Sequence, residues 1–434
     1  MKDVKFAFST LKYLLHSYLF VFVYFSVVTS LHKSPFNKAV IAAGLGFFVD
    51  TFDLFLFNVY RVPSLRDMGL DAQQITTQGE QLLAIQMAGM IAGGVLSGII
   101  GDKRGRIAVL FGSILLYSLG NIANAFVTNV EMYAVVRFLA GVGLAGELGA
   151  GIALVSESMT IKHRGYGTIM VATMGALGSV AAGLSSHFLP WRVAFFCAGM
   201  MGLLLLLMRM RTLEPAMFRS TAASTTVRRG SFRLLFSSRE RGLRYLASII
   251  SGIPIWFTVG LLITLTPEIA SLKNIEGAIL ATCFILFQTG VAIGDLSSGI
   301  FSQLTRSRKK VLLSYMSIAL LATMLHFVAI FRGMGLNLTS LLMGLGCGYL
   351  SVFVTATAEH FGTNLRVLIT STVTNFMRGS VTLLVPLHLL LEDLLGIDLV
   401  QSLAIVGFLV WSAAIFAVIY LPETYGKNLD YIEE

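Results

Sequence analysis

The sequence predicts an all-α polytopic membrane protein with twelve transmembrane helices in two pseudo-symmetric six-helix bundles. Three observations carry that reading. Hydrophobic residues fill 56% of the 434 positions and charged residues only 13%, with a mean hydropathy of +0.79, whereas soluble domains carry about 25% charged residues. Twelve windows of roughly 20 apolar residues, the length that crosses a bilayer, follow one another along the chain. Features of the first half then return about 200 positions later in the second.

In chain order, an apolar stretch within residues 1–32 comes first. A helix over Leu11–Leu31 would put Lys2, Lys5 and Lys12 outside or invert the bundle behind it, against the charge bias below. An interfacial segment, an uncleaved signal-like helix and a start chosen too far upstream all fit; the last is favoured, and no function is assigned to the segment. The first bundle, 33–208, holds windows near 38–60, 81–101, 107–127, 132–157, 166–188 and 192–210. A basic, Ser/Thr-rich linker follows over 209–244. The second bundle, 245–421, holds windows near 245–266, 277–304, 311–331, 334–358, 367–391 and 398–421, before a tail at 422–434. All must be helical, because a helix satisfies its own backbone in lipid.

Lys and Arg set the orientation. With the segment before the first span inside, inner loops carry 22 such residues and outer loops five, namely Arg61, Arg66, Arg192, Lys273 and Arg332. The chain is therefore expected in a bacterial inner (plasma) membrane with both ends of the bundle cytoplasmic. The net charge of +9 then belongs to a surface facing anionic lipid, and no nucleic-acid partner is needed. Cys197, Cys283 and Cys347 all fall inside predicted helices, which suggests neither a disulfide framework nor a zinc site.

The repeat is specific. Glu157 precedes Arg164 by seven residues, and Glu359 precedes Arg366 by seven, the two pairs lying 202 positions apart. Gly98 recurs as Gly299 at an offset of 201, although Gln303 stands where Asp102 would be repeated. Leu213-Glu214-Pro215 finds an echo in Leu421-Pro422-Glu423. Such a period implies homologous halves about an axis normal to the membrane, with solute bound between them.

Ionisable groups at bilayer depth cost about 2.5–3.5 kcal/mol on insertion scales, so each asks for a partner or a role. Asp50 and Asp53 lie in the first span, three residues apart and hence on one face. Asp50 is twelve residues past Lys38, about 18 Å into the membrane. Two such carboxylates resist being ionised together, which makes Asp50, Asp53 and, behind them, Glu147 candidates for carrying a proton. The alternative is that one of them pairs permanently with a buried arginine. Span four spaces Arg137, Glu147 and Glu157 ten residues apart, with Arg137 expected near the outer end. The glycines around Glu147 read as packing residues. Arg378, near the midplane of the second half, pairs with Asp50 and Glu147 as a candidate solute-binding set, and a salt bridge from Arg378 to Asp50, Asp53 or Glu147 is an equal reading. Asp295 in span eight has a weaker case.

The turn Gly98-Ile-Ile-Gly-Asp102-Lys103-Arg104-Gly105-Arg106 resembles the signature between helices two and three of the major facilitator superfamily, G-x-x-x-D-[RK]-x-G-[RK]-[RK], and departs from it only at Ile107. Arg137 to Glu147 resembles the fourth helix of its metabolite:proton symporter and sugar-porter branches. Leu213-Glu214-Pro215 with Phe218, and Pro422-Glu423-Thr424-Tyr425-Gly426, are similar to the segments that follow their sixth and twelfth helices. The resemblance implies an inner-gate charge network of Asp102, Lys103, Arg106, Glu157 and Arg164, with Glu359 and Arg366 in the second half. Asp50-Thr-Phe-Asp53 also resembles phosphate:proton symporters, whose Asp-Tyr-Pro-Leu in span four is replaced here by Glu147-Leu-Gly. The Gly-Pro motif of drug antiporters is absent from 166–188.

The resulting expectation is a transporter and not an enzyme: proton-coupled uptake of a small polar metabolite, an organic acid or zwitterion, by alternating access. Phosphate symport and export, including siderophore or drug efflux, are the rivals. No metal or cofactor is expected, since an ion gradient, taken to be protons, supplies the drive. The expected partners are solute, protons and lipid, around a monomer.

Overall fold

The computed structural model describes residues 38–159, 164–209, 231–275, 280–333, 335–427 and 431–433, with no strand among them. The apolar extension at 1–32 and residues 210–230 of the linker lie outside the described residues.

Six long helices form the first half: α1 (Lys38–Asp67), α2 (Ala72–Arg104), α3 (Arg106–Asn124), α4 (Val130–Ser158), α5 (Arg164–Ser185) and α6 (Trp191–Arg209). Polar caps set where they begin, by accepting the backbone N–H groups that a first turn leaves without partners. Asp71 opens α2 in a reciprocal capping box with Gln74, and Asn129 Oδ1 accepts from Met132 N at 2.8 Å at the head of α4. Between α2 and α3 the chain reverses on Gly105, whose φ of 110° suits a residue without a Cβ. This is why the charged turn carries glycine there.

The second half comprises α7 (Phe232–Leu235), α8 (Arg239–Phe257) running into a π-helical turn over Thr258–Ile263, α9 (Thr266–Lys273), α10 (Leu280–Leu304), α11 (Arg308–Arg332), α12 (Leu336–Cys347), α13 (Leu350–Glu359), α14 (Arg366–Gly379), α15 (Val381–Leu395) and α16 (Leu399–Tyr420). Among the described residues, 11 helices are long and apolar enough to cross a membrane. The remaining predicted span, 367–391, is realised as α14 and α15, parted at Ser380. Each piece is short, and together they supply a crossing.

A second interruption falls at Gly348, between α12 and α13. Its freed backbone groups are taken up by α10, as burial in lipid requires. Asp295 Oδ1 accepts from Ser351 N at 2.9 Å, and Ser298 Oγ donates to the Gly348 carbonyl at 2.7 Å.

Within each half the same close crossing recurs. A Cβ on Gly89, Gly93 or Gly141 would strike the facing backbone of Phe138, Val142 or Gln86, so α2 and α4 touch along their backbones. In the second half Gly290 and Gly294 of α10 meet Leu341 and Leu345 of α12, while Gly344 meets Phe287. Gly89 and Gly290, like Gly93 and Gly294, are 201 positions apart. The repeat in the sequence is therefore a repeat of small-residue helix contacts. Outward-facing Leu119, Val135, Phe301, Leu321, Phe408 and Phe416 are more than half exposed and form the apolar surface that lipid would cover.

The halves meet where α2, α4 and α5 pack on α10, α13 and α14. At one end of this seam Asp102 accepts from the backbone N–H groups of Val367 and Leu368, at 3.2 and 2.9 Å, and so caps α14 from across the interface. Nearby, Asn375 Nδ2 donates to the Ala145 carbonyl at 2.7 Å, and the hydroxyls of Thr168 and Thr355 lie 2.7 Å apart. At the opposite end Arg61 meets Glu268 at 3.1 Å and Asn58 meets Thr264 at 3.3 Å. Both ends are bridged, with a cavity between them.

Candidate functional site

A cavity lies between these two bridged ends. Its walls come from α1 and α5 on one side and from α8, α10, the α12–α13 break and α14 on the other. Phe47, Phe55, Trp256 and Phe287 make much of the lining aromatic; Thr51, Ser179, Gln288, Asp295 and Arg378 are its polar and charged members.

Arg378 sits 12 residues past Arg366, on the last turn of α14, and is 2% exposed. Its Nη2 lies 3.9 Å from Asp50 Oδ2 across the seam, and its guanidinium carbon is 5.8 Å from the centroid of the Trp256 ring. Trp256 in turn stacks on Phe55, with centroids 5.8 Å apart and planes 5° from parallel. Arg378 Nε and Nη1 have no hydrogen-bond partner among the described residues. A buried guanidinium with two donors in hand and an aromatic plane beside it is equipped to take a carboxylate in a forked geometry. Asp295 of α10, which lines the same cavity, has Oδ1 fixed by Ser351 N while Oδ2 is without a partner among the described residues.

The structure separates the two aspartates of α1. Asp50 turns toward Arg378 in the second half. Asp53, also fully buried, lies beside Arg137 and Asn121 inside the first half. Arg137, near the start of α4, is fully buried: it is 0% exposed, donates to Asn121 Oδ1 at 2.9 Å and has the Phe195 ring 4.8 Å away. Glu147 is buried within α4, and neither it nor Asp53 lines the cavity. The glycines around it serve the crossings with neighbouring helices, Gly149 facing the backbone of Ser371 in α14.

Of the charge network implied at the Asp102 end, Asp102 bonds backbone amides of α14 as described. Lys103 is exposed, and Arg366 Nη2 donates to the Phe361 carbonyl at 3.4 Å. Glu359 pairs with Arg308 at 3.3 Å and accepts from Thr424 Oγ1 at 2.8 Å. The side chains of Arg106, Glu157 and Arg164 lie outside the described residues. The tail motif closes this network. Glu423 accepts from the Ser307 hydroxyl and, at 2.9 and 3.2 Å, from the backbone N–H groups of Arg308 and Lys309, so it caps α11. Burial works to raise its pKa, but these hydrogen bonds and those from Thr424 and Tyr425 outweigh it and hold the carboxyl below the ordinary range.

Sequence reasoning missed Trp256, Gln288 and Asn121 as site residues and read Arg61 only as a loop charge. Asn121 was the most legible of these, as a neutral polar residue in an apolar helix. Nothing local distinguishes Trp256 from an ordinary lipid-facing or core aromatic.

The arrangement matches a known one. Residues 43–386 fit the family described as the Major Facilitator Superfamily. The chain belongs to this superfamily. The solved structure of the proton:xylose symporter XylE bound to 6-bromo-6-deoxy-D-glucose superposes with a TM-score of 0.70, covering 90% of this chain and 97% of that one at 16% identity; the likeness is one of fold. Among curated relatives, the niacin transporter NiaP of Acinetobacter baylyi is 30% identical over 36% of each chain. The 3-(3-hydroxy-phenyl)propionate transporter of Escherichia coli is 27% identical over 57% of this chain and 61% of its own. The benzoate transport protein of Acinetobacter baylyi is 30% identical over 42% and 40%. The chain spans about half the length of the curated relatives it matches first, 58% and 47%. The helices long and apolar enough to cross a membrane agree with this membership, and the curated relatives named above are transport proteins.

Proposed function

We propose that this transporter carries a small organic acid, an unsaturated or aromatic ring carboxylate, into the cell in symport with protons, with the Asp102 end facing the cytoplasm. The observation that carries the reading is Arg378, buried in an aromatic-lined cavity, 3.9 Å from Asp50 and with two donors to spare. A ring would lie among Phe47, Phe55, Trp256 and Phe287 while its carboxylate competes with Asp50 for the guanidinium. A proton on Asp50 removes the competitor, so that solute and proton favour one another's binding; reciprocity of this kind is what symport requires. The names of the relatives, which include carriers of niacin, benzoate and a hydroxyphenyl acid, support the same class. Phosphate fits the aromatic walls poorly, because its charge needs donors on several sides.

A zwitterionic ring is the second reading, favoured by Asp295 in the cavity lining. Uptake of radiolabelled benzoate, nicotinate, phosphate and xylose into proteoliposomes, with and without an inward proton gradient, tests the first reading. Gradient-driven accumulation of benzoate or nicotinate alone supports the proposal; accumulation of phosphate or xylose alone overturns it.

A further inference from the structure

The end of the seam opposite Asp102 holds a charge cluster that the solute site does not use. Arg61, on α1, is 1% exposed and donates from Nη2 to Glu268 Oε1 of α9 at 3.1 Å. One turn along α1, Asn58 Nδ2 reaches Thr264 Oγ1 at 3.3 Å. These contacts tie the first half to the second, and any opening at this end must break them. Breaking them has a cost: a buried guanidinium stripped of its carboxylate is strongly destabilising.

A replacement stands beside it. Glu80 of α2 belongs to the same half as Arg61, and its carboxylate lies within electrostatic reach of Arg61, Glu268 and Glu392. The preceding residue is Gly79, where a Cβ would come within 2.7 Å of Arg61 Cδ and 3.0 Å of Cγ. The arginine stem thus lies against α2 at Gly79, and Glu80 is the next residue along that helix. Arg61 Nε and Nη1 have no hydrogen-bond partner among the described residues and are free to take a second carboxylate. Glu392 is already engaged on its own half, accepting from Ser402 Oγ at 2.8 Å with His388 Nδ1 3.1 Å away.

We infer that Arg61 is a transfer latch: it holds this end shut through Glu268 and passes to Glu80 when the halves part there. Glu80 travels with Arg61, so the arginine keeps an anionic partner in both states. The shut and open forms then differ by which carboxylate is paired, not by whether one is, and this keeps their free energies close enough for ligands to bias. The latch rests on the rocking motion of the proposed transport cycle but not on the identity of the solute.

The test is a distance measurement on the full-length protein in lipid nanodiscs. Spin labels at Arg66→Cys on α1 and Ser271→Cys on α9, both exposed positions, report the separation of the halves at this end without any flux assay. In E268Q the long-distance population should rise by about fivefold or more, the low end of typical coupling between sites. E80Q/E268Q should remove most of that gain, since the open form loses its partner too. Glu268→Asp, which keeps the charge, should stay near the parent distribution and controls for misfolding. The inference is overturned if E268Q leaves the distribution unchanged, or if adding E80Q increases the long-distance population further. A wrong solute assignment would leave all three results as stated.

Discussion

Replacing Asp50 by asparagine separates coupling from binding. At 3.9 Å, and with an effective dielectric of about 20, the Arg378–Asp50 pair attracts by about 4 kcal/mol. Desolvation of both groups offsets much of that. If about 1–2 kcal/mol survives, a solute carboxylate meets a five- to thirtyfold handicap while Asp50 is ionised, and protonation lifts it. Asp50→Asn lifts it permanently. Solute affinity should then be high and nearly independent of pH between about 6 and 8, and counterflow between compartments of equal pH should persist. Gradient-driven accumulation should vanish. One unit of pH difference stores about 1.4 kcal/mol per proton, so a one-to-one symporter approaches about tenfold accumulation where the variant stays at one. The assay is radiolabelled benzoate or nicotinate in proteoliposomes with an imposed one-unit gradient. An Asp50→Asn protein that still concentrates solute would refute this reasoning and pass the coupling role to Asp53, whose carboxylate faces Arg137.

Three further outcomes are expected. Arg378→Lys keeps the charge but loses the fork and the planar face beside Trp256; solute affinity should fall by tenfold or more, about 1.4 kcal/mol, in equilibrium binding to the detergent-solubilised protein, and an unchanged affinity would remove Arg378 from the solute site. Asp102→Asn weakens two charge-assisted caps on α14 and should slow turnover more than it alters affinity, so a lower Vmax at constant half-saturation is the signature and an unchanged rate the refutation. Thermal stability should fall in acid through Glu423 and Asp398, which the Lys273 hydrogen bond at 2.7 Å holds low. Both folded pKa values lie below the ordinary 4.5 and 3.8, so their stabilisation is complete above those values and is lost as pH falls through the folded ones; melting curves of Glu423→Gln should lose less on acidification than the parent.

How much of this was legible in the sequence depends on what each feature is made of. Helical class and span positions follow from hydropathy, which is a local property. The glycines of the repeat could be read as packing residues, because small side chains in lipid have few other uses. The partners of the buried charges could be narrowed but not singled out: Asp50, Asp53 and Glu147 all stood as partners of Arg378, and the structure pairs it with Asp50. Asp50 and Asp53 share a face by spacing, yet three residues turn a helix by about 300° and leave the two carboxylates about 60° apart. That difference sends one to Arg378 in the other half and the other to Arg137 in its own. Position along the chain did not report burial either: Arg137 lies near the start of α4 and is fully buried, while Val135 and Leu139 beside it are exposed. The break at Ser380 had no signal, since no proline or glycine occupies that position and only Gly379 precedes it.

The duplicated glycine crossings have a mechanical consequence. Inside each half, α2 against α4 and α10 against α12 are in backbone contact, and sliding either pair would drive glycine Cα atoms into larger neighbours. Between the halves the polar contacts are hydroxyls, amides, one carboxylate on two N–H groups and the ion pairs of Arg61 and Arg378, and Gly149 also approaches the Ser371 backbone. Each half is thus held internally by backbone contact along its glycine seam. If the halves rock on one another, these seams are what keep each half rigid, and substitutions along them should ease internal motions that move no solute.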